Sequence, residues 1–443
     1  MNLIHPEDAR YDDARTVFNA MVDKRPAVIA ECASPTDVVH ALALARERVY
    51  DVAVRAGGHS VAGLSMNDDG LVVDVRPMKD IEVDPKRRWA RVGAGVTWGE
   101  FDRAAQAHGL ATTGGRASTT GVAGFTLGGG SGWLERAYGL TCDNLEAVEL
   151  VTADGRQVRA SETENADLFW ALHGGGGNFG VATAFEFRMH AVGPSVLAGL
   201  MLWPGDAGYD VARAYRDFAF DAPDEFGSGL VFLTGPPEEF VPEQLRGTTV
   251  AAVAVCWTGA VDDGQDIVQP LRDLGPAADL VGPMPYADFQ CMIDDPPGLY
   301  NYWTADYHDT FPDEALRVFV KYGFERQSPF VQQILIPWGG AVARVAEDAT
   351  PLAQRTATWL SHPFALWEDP GDTDANIAWA RGFRRDIARY ATGGAYLNFI
   401  GNEGQERVRA AFGDEKYARL AAIKAEWDPD NTFRGNQNIV PAS

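Results

Sequence analysis

Glycine is concentrated at three places within the first 180 residues, and this constrains the fold more than any other feature of the chain. The first cluster, Arg55-Ala56-Gly57-Gly58-His59-Ser60-Val61-Ala62-Gly63, directly follows the short apolar run Val52-Ala53-Val54. The second runs from Gly114-Gly115 through Gly121, Gly124 and Gly128-Gly129-Gly130 to Gly132, and the third is Gly174-Gly175-Gly176-Gly177-Asn178-Phe179-Gly180. Without a Cβ, backbone N–H groups can turn inward and approach a ligand closely. A single cluster is explained by a turn, but three need a common cause. A long, anionic, partly flat ligand lying on backbone supplies one, and a dinucleotide has that shape. The common nucleotide signatures are missing. No strand runs straight into GxGxxG with an acidic residue about 20 positions on, and there is no GxxxxGK[ST]. His59 is the unusual member of the first cluster, because a phosphate cradle rarely needs an imidazole.

A chain of 443 residues is long enough for two or three domains with large cores. Its formal net charge of -24 argues against nucleic acid or an anionic membrane as partner. Only six of the 38 Lys and Arg residues are lysines, which fits either salt adaptation or a GC-rich genome. Met1 to Tyr11 has no charged stretch leading into an apolar run, and no segment approaches the ~20 apolar residues of a membrane span. A cytoplasmic protein is expected. Cys32, Cys142, Cys256 and Cys291 are far apart without CxxC spacing, so they read as reduced and structural, with no metal site.

Along the chain, residues 1–50 suggest a lead-in helix, an extended segment Pro26–Cys32 and a helix opened by Pro35-Thr36-Asp37. Strands are expected at Leu71–Val75, Trp89–Ala94, Leu145–Thr152, Arg156–Ala160 and Val181–Met189, and a helix from Trp98 to His108 ended by Gly109. From about Val196 glycine thins out and strand-like runs alternate with helical ones, with Tyr300, Tyr302, Trp303, Tyr307, Trp338, Trp359 and Trp367 concentrated there. That texture suits a domain holding something aromatic or sugar-like. The glycine-rich texture returns at Thr392-Gly393-Gly394.

Three stretches resemble the FAD-binding module of the vanillyl-alcohol oxidase/p-cresol methylhydroxylase superfamily: Arg55–Ser60, Gly121–Gly130 and Gly174–Gly180. Two closing segments, Tyr396-Leu397-Asn398-Phe399 and Asn436-Gln437-Asn438-Ile439, are similar to its berberine-bridge-enzyme-like branch. The resemblance spans nearly the whole chain, and it is the joint order of five motifs that makes it specific. It implies an α+β fold: a two-part FAD-binding domain of the p-cresol methylhydroxylase type (1–194, completed by 393–443) and an inserted substrate domain (195–392) with an antiparallel sheet backed by helices. It implies FAD bonded covalently to His59, which makes the flavin a stronger hydride acceptor. Arg55, Gly57, Gly58, Ser60, Gly63, Thr120, Gly121, Gly124, Gly128, Gly129, Gly130, Val181, Asn436 and Asn438 are the expected cofactor-binding residues. Many relatives add a cysteinyl link at the place occupied here by Ala117, so His59 is expected to be the only tether, and Cys142 reads as core packing. A single tether usually accompanies a pocket less open to long chains, which suits a small substrate. The resemblance also implies that Thr120 occupies a position near flavin C4a, where in the family a small valine favours oxidases and leucine favours dehydrogenases. Threonine leans toward an oxidase.

Hydride removal from an alcohol or amine is easier when a proton leaves too. Relatives often use the last tyrosine of Y-x-N-Y, and here it is Phe399, which cannot take a proton. Were this segment a strand, Tyr396 would face away from Phe399 and share a face with Asn398. The catalytic candidates are Tyr396 and His362, the latter in the apparent strand Trp359–Phe364 and of suitable pKa, ~6.5 when unperturbed. Tyr302–His308 offers further polar groups, and an amine reacting in its neutral form would need no strong base. Acidic groups such as Asp221, Asp224, Glu225, Glu238-Glu239 and Glu368 read as solvated surface. The expected activity is hydride transfer from a small alcohol, amine or sugar-like molecule to FAD, with oxygen as acceptor and hydrogen peroxide as product. The alternatives are a dehydrogenase with another acceptor, or a flavin-binding protein whose site has decayed. Substrate identity and oligomeric state are left open.

Overall fold

The computed structural model describes residues 1–443. The architecture is α+β, with antiparallel sheets and helices. Val28–Glu31, Leu71–Asp74 and Val52–Arg55 pair in parallel, and Asn2–Ile4 closes one edge antiparallel. Leu71-Val72-Val73-Asp74 is buried throughout, which explains its unbroken apolar run: a central parallel strand is covered on both faces. The helix Pro35–Arg48 covers this sheet through Val38, Ala41, Leu42 and Ala45. Ser34 and Asp37 cap it reciprocally, with proline at its first turn. The lead-in is not one long helix but the strand Asn2–Ile4 and the short helix Tyr11–Arg15.

A second sheet, fully antiparallel, has the order Ile81–Asp84, Trp89–Gly93, Val181–Arg188, Leu145–Val151, Gln157–Ser161. The third glycine cluster enters this sheet at Val181. One apolar core joins residues of both sheets, such as Val73, Phe185 and Val148, to Tyr396, Phe412, Leu420, Phe433 and Ile439 near the C-terminus. The end of the chain therefore packs back onto its beginning.

Between them lies a nine-stranded antiparallel sheet. Its main strands are Ser195–Pro204, Thr249–Trp257, Phe226–Thr234, Gln332–Pro337, Trp359–Trp367 and, at one end, Tyr300–Trp303, in that order. Strand alternation gives its two faces different tasks. Leu230, Phe232, Leu335, Ala365 and Trp367 point to one face and pack with Tyr215, Phe319, Trp379 and Phe383 of the helices Gly208–Asp221, Asp313–Phe324 and Thr373–Ile387. Val231, Leu233, Gln332, Ile334, Ile336, His362 and Phe364 point the other way, into a cavity. No helix is long and apolar enough to cross a membrane.

Candidate active site

The cavity, about 800 Å³, separates that sheet from the three glycine clusters. Ala56–Val61, Thr120, Gly121, Gly124, Gly128, Gly176, Gly177 and Gly180 form one wall, completed by Phe433, Gly435, Asn436 and Gln437 from the tail. The glycines there are not all present for one reason. A Cβ on Gly57 would overlap the Gly121 amide nitrogen, and one on Gly121 would overlap Gly57, so these two residues let two loops cross backbone to backbone. Gly128 is roofed by the Asn398 side chain, whose Nδ2 donates to the Phe125 carbonyl at 3.0 Å. Gly124 and Gly177 differ: a Cβ on either would meet no protein atom within 4 Å. Both line the cavity, and the space beside them is the space of whatever fills it.

His59 stands in this wall. Its ring stacks on Phe18 at 4.1 Å, and its Nε2 lies 2.9 Å from Thr119 Oγ1. Thr120 Oγ1 lies 3.4 Å from Nδ1. Burial pushes the His59 pKa down to about 4, so the imidazole is neutral near pH 7. Ala117 also lines the cavity, and Cys142 is fully buried in the core.

Several expected cofactor contacts lie elsewhere. Arg55 points away from the cavity and donates to the carbonyls of Ala14 and Thr16, tying the lead-in to the first glycine turn. Gly63 packs on Val22 and accepts from Lys24 Nζ at 2.8 Å. Gly129 and Gly130, at φ of +111° and +90°, turn the chain behind the wall, where Gly130 packs against Thr141. Val181 is fully buried in the core, and alternation gives the cavity to its neighbours Gly180 and Ala182. Asn438 Oδ1 accepts from Lys424 Nζ at 3.3 Å, away from the wall. Ser60 and Asn436 do line it.

The opposite wall holds His362. Only a carbonyl, that of Thr304, meets its Nδ1, at 2.9 Å, so the ring donates there and carries its lone pair on Nε2. Phe399 stacks on it at 4.4 Å, interplanar 10°. Burial holds its pKa down at about 4. Between about pH 4 and the free imidazole value of ~6.5, the unfolded chain binds a proton that the folded chain excludes. Stability from this residue is therefore lost as pH falls through that window. In His362→Gln this acid sensitivity disappears, and the difference in unfolding free energy between variant and wild type changes by up to about 1.4 kcal/mol per pH unit there. Urea titrations at several pH values measure it, and a flat difference would contradict the assignment.

Tyr396 is placed differently from the strand expectation. Leu397–Phe399 is a single 3-10 turn, so side chains do not alternate. The Tyr396 side chain is fully buried behind the wall, and its hydroxyl accepts from the amides of Gly130 and Ser131, each at 2.8 Å. It does not line the cavity. Asn398 and Phe399, the two residues after Leu397, reach the cavity instead.

Sequence reasoning missed Phe18, Arg116, Asp294, Asp295, Gln332 and Asn398 as wall residues. Arg116 donates to Ser131 Oγ at 3.0 Å and pairs with the buried Glu135 at 3.1 Å. Asp294 accepts from the amide of Ser118 at 2.6 Å. Local spacing carried no signal for these, because each partner comes from a distant segment.

Two family models match the chain: an FAD-binding domain over residues 26–161, and a family described as berberine and berberine like over 395–440. These segments carry the first two glycine clusters of the wall and its closing turn. The chain resembles the berberine-bridge-enzyme-like FAD-linked oxidoreductases. It is 29% identical to (R)-6-hydroxynicotine oxidase of Paenarthrobacter nicotinovorans, over 99% of this chain and 96% of that protein. It is also 29% identical to an uncharacterised FAD-linked oxidoreductase, YgaK, of Bacillus subtilis, over 99% and 96% respectively. The crystal structure of 6-hydroxy-D-nicotine oxidase from Arthrobacter nicotinovorans superposes with a TM-score of 0.88 at 27% identity, covering 100% of this chain and 98% of that one.

The residues of the cavity wall fit FAD. Gly124 and Gly177 leave a cradle that any side chain would narrow, and the buried Oδ1 of Asn436 has no protein donor, which suits a hydroxyl or N–H of the dinucleotide. Gly124→Ala tests the cradle with two readouts of opposite sign. Gly124 lies inside the helix Val122–Leu127, so alanine raises the stability of the flavin-free fold by about 0.5–1 kcal/mol. Flavin retained per chain falls. If occupancy is unchanged, Gly124 does not border the cofactor.

Proposed function

We propose that this protein is an oxidase carrying FAD attached through His59 alone, acting on a small alcohol, amine or sugar-like molecule. The observation that carries this reading is the opposition of two neutral histidines across one cavity: His59 in the glycine wall and His362 in the substrate-facing sheet. FAD, when bound, accepts the hydride taken from the substrate and passes the electrons to molecular oxygen, giving hydrogen peroxide.

The chain's own residues supply the rest. Residues 1–194 and 393–443 hold the dinucleotide on backbone at Gly57, Gly58, Gly121, Gly124 and Gly128, with Ser60 and Asn436 beside it. Residues 195–392 supply the substrate wall, where Ile334, Ile336 and Phe364 exclude water. His362 Nε2, its lone pair fixed by the Thr304 bond, receives the substrate proton. Tyr396 becomes a positioning residue, fixing the Gly130-Ser131 turn. Ala117 offers no sulfur for a second link, and Thr120 supports oxygen access by its small size.

Two measurements on purified protein test the reading. The intact mass of denatured protein is expected to exceed the chain mass by one FAD, with the flavin spectrum following the protein. Rapid mixing of the reduced enzyme with air-saturated buffer is expected to reoxidise it within the turnover time. Slow reoxidation would overturn the oxidase in favour of a dehydrogenase.

A further inference from the structure

A row of side chains crosses three strands on the cavity face of the large sheet. Gln332 lies opposite Phe364, and Phe364 lies opposite Trp303, with the two rings stacked at 4.4 Å. At the outer end of this row, Gln332 Nε2 donates to Asp295 Oδ1 at 3.1 Å. The other Asp295 oxygen takes no hydrogen bond from the protein. The neighbouring Asp294 is engaged differently: both its oxygens are taken up by Ser118, which fastens this acidic loop to the Ala117–Thr120 turn. Glu238, the remaining acid of the wall, is exposed, and the one cavity arginine, Arg116, is bonded to Glu135. At the inner end of the row, Trp303 is 9% exposed, and its Nε1–H has no protein acceptor.

A carboxylate with a free oxygen beside an aromatic shelf is the chemistry that recognises an ammonium group. The carboxylate accepts N–H, and the ring faces attract the positive charge at centroid distances up to about 6 Å. We propose that Asp295 anchors the nitrogen of a cationic amine substrate whose apolar part lies over Phe364 and Trp303. The inference rests on the reading of this cavity as the substrate site of a flavin oxidase, and narrows its substrate class to amines. Burial, with Asp294 beside it, pushes the Asp295 carboxyl up to about 7, and an arriving cation relieves that penalty. The formal net charge of -24 favours the approach of cations to the protein over that of anions.

The test is calorimetric titration of the FAD-loaded protein, without oxygen, with N-methylbenzylamine and with its neutral isostere benzyl methyl ether. Wild type is expected to bind the amine at least about tenfold more tightly, the range of one charge-assisted hydrogen bond. Asp295→Asn is expected to bring the two affinities together, and Asp295→Glu, which keeps the charge, to retain the preference. Equal affinities in wild type overturn the proposal whatever the variants do, and so does a preference that survives in Asp295→Asn. A sample that carries flavin yet shows no amine preference refutes this inference alone. A sample without flavin refutes the functional reading beneath it.

Discussion

In His59→Ala, denaturation is expected to release all of the flavin, so that the covalent adduct falls from one per chain to none. The side chain is held from three directions: Phe18 stacks on one face, Thr119 meets Nε2 at 2.9 Å, and Thr120 approaches Nδ1. Burial keeps the ring neutral down to about pH 4, so one ring nitrogen always carries a lone pair able to form a bond to carbon. The glycine cradle is untouched by the substitution, so FAD is expected to remain bound but exchangeable. Loss of the electron-withdrawing link lowers the flavin's potential. Hydride transfer slows by about tenfold if the barrier rises by about 1.4 kcal/mol. Mass spectrometry of denatured variant and wild type decides the matter, and an adduct persisting in His59→Ala would place the tether elsewhere. Cys142→Ala is the matching control and keeps the adduct.

The largest loss of stability is expected from Lys424→Met. Lys424 and Asp428 are both fully buried and pair at 3.4 Å. Lys424 Nζ also donates to Asn178 Oδ1 at 3.2 Å and the Phe433 carbonyl at 3.1 Å, and Asp428 accepts from the amides of Thr432 and Phe433. Burial pulls the Lys424 pKa down to about 8, which leaves the ammonium charged at pH 7. Removing it strands the Asp428 carboxylate in the core, a cost of about 3–5 kcal/mol. The double variant Lys424→Met, Asp428→Asn removes both charges and is expected to recover much of that loss. Chemical denaturation of the three proteins measures both quantities, and a single variant as stable as wild type would sink the argument. Because Asn178, Phe433 and Asn436 adjoin Gly177 in the cavity wall, the single variant is also expected to hold flavin less tightly.

What the sequence disclosed follows from how locally each feature is encoded. Strands such as Leu145–Val151 and Gln157–Ser161 were legible because apolar runs and turn residues are written side by side. The glycine wall was legible as a wall, but not glycine by glycine. Gly57 and Gly121 meet across 64 residues, and no local pattern separates a crossing from a ligand contact. Val181 was misplaced by one position, which in a strand means the opposite face. Tyr396 was misplaced because the turn Leu397–Phe399 has no period of two. Asp295 and Gln332 were invisible as a pair: 37 residues apart, a loop residue and a strand residue, they meet only in the folded chain.

The cavity wall also ties its own closure to the cooperativity of folding. It is assembled from Phe18 and from Phe433, Asn436 and Gln437, segments from opposite halves of the sequence. Contacts of such long range are costly to close and form late in folding. A chain that has ordered only one of these segments has no complete cavity, so whatever binds there reads out the whole fold.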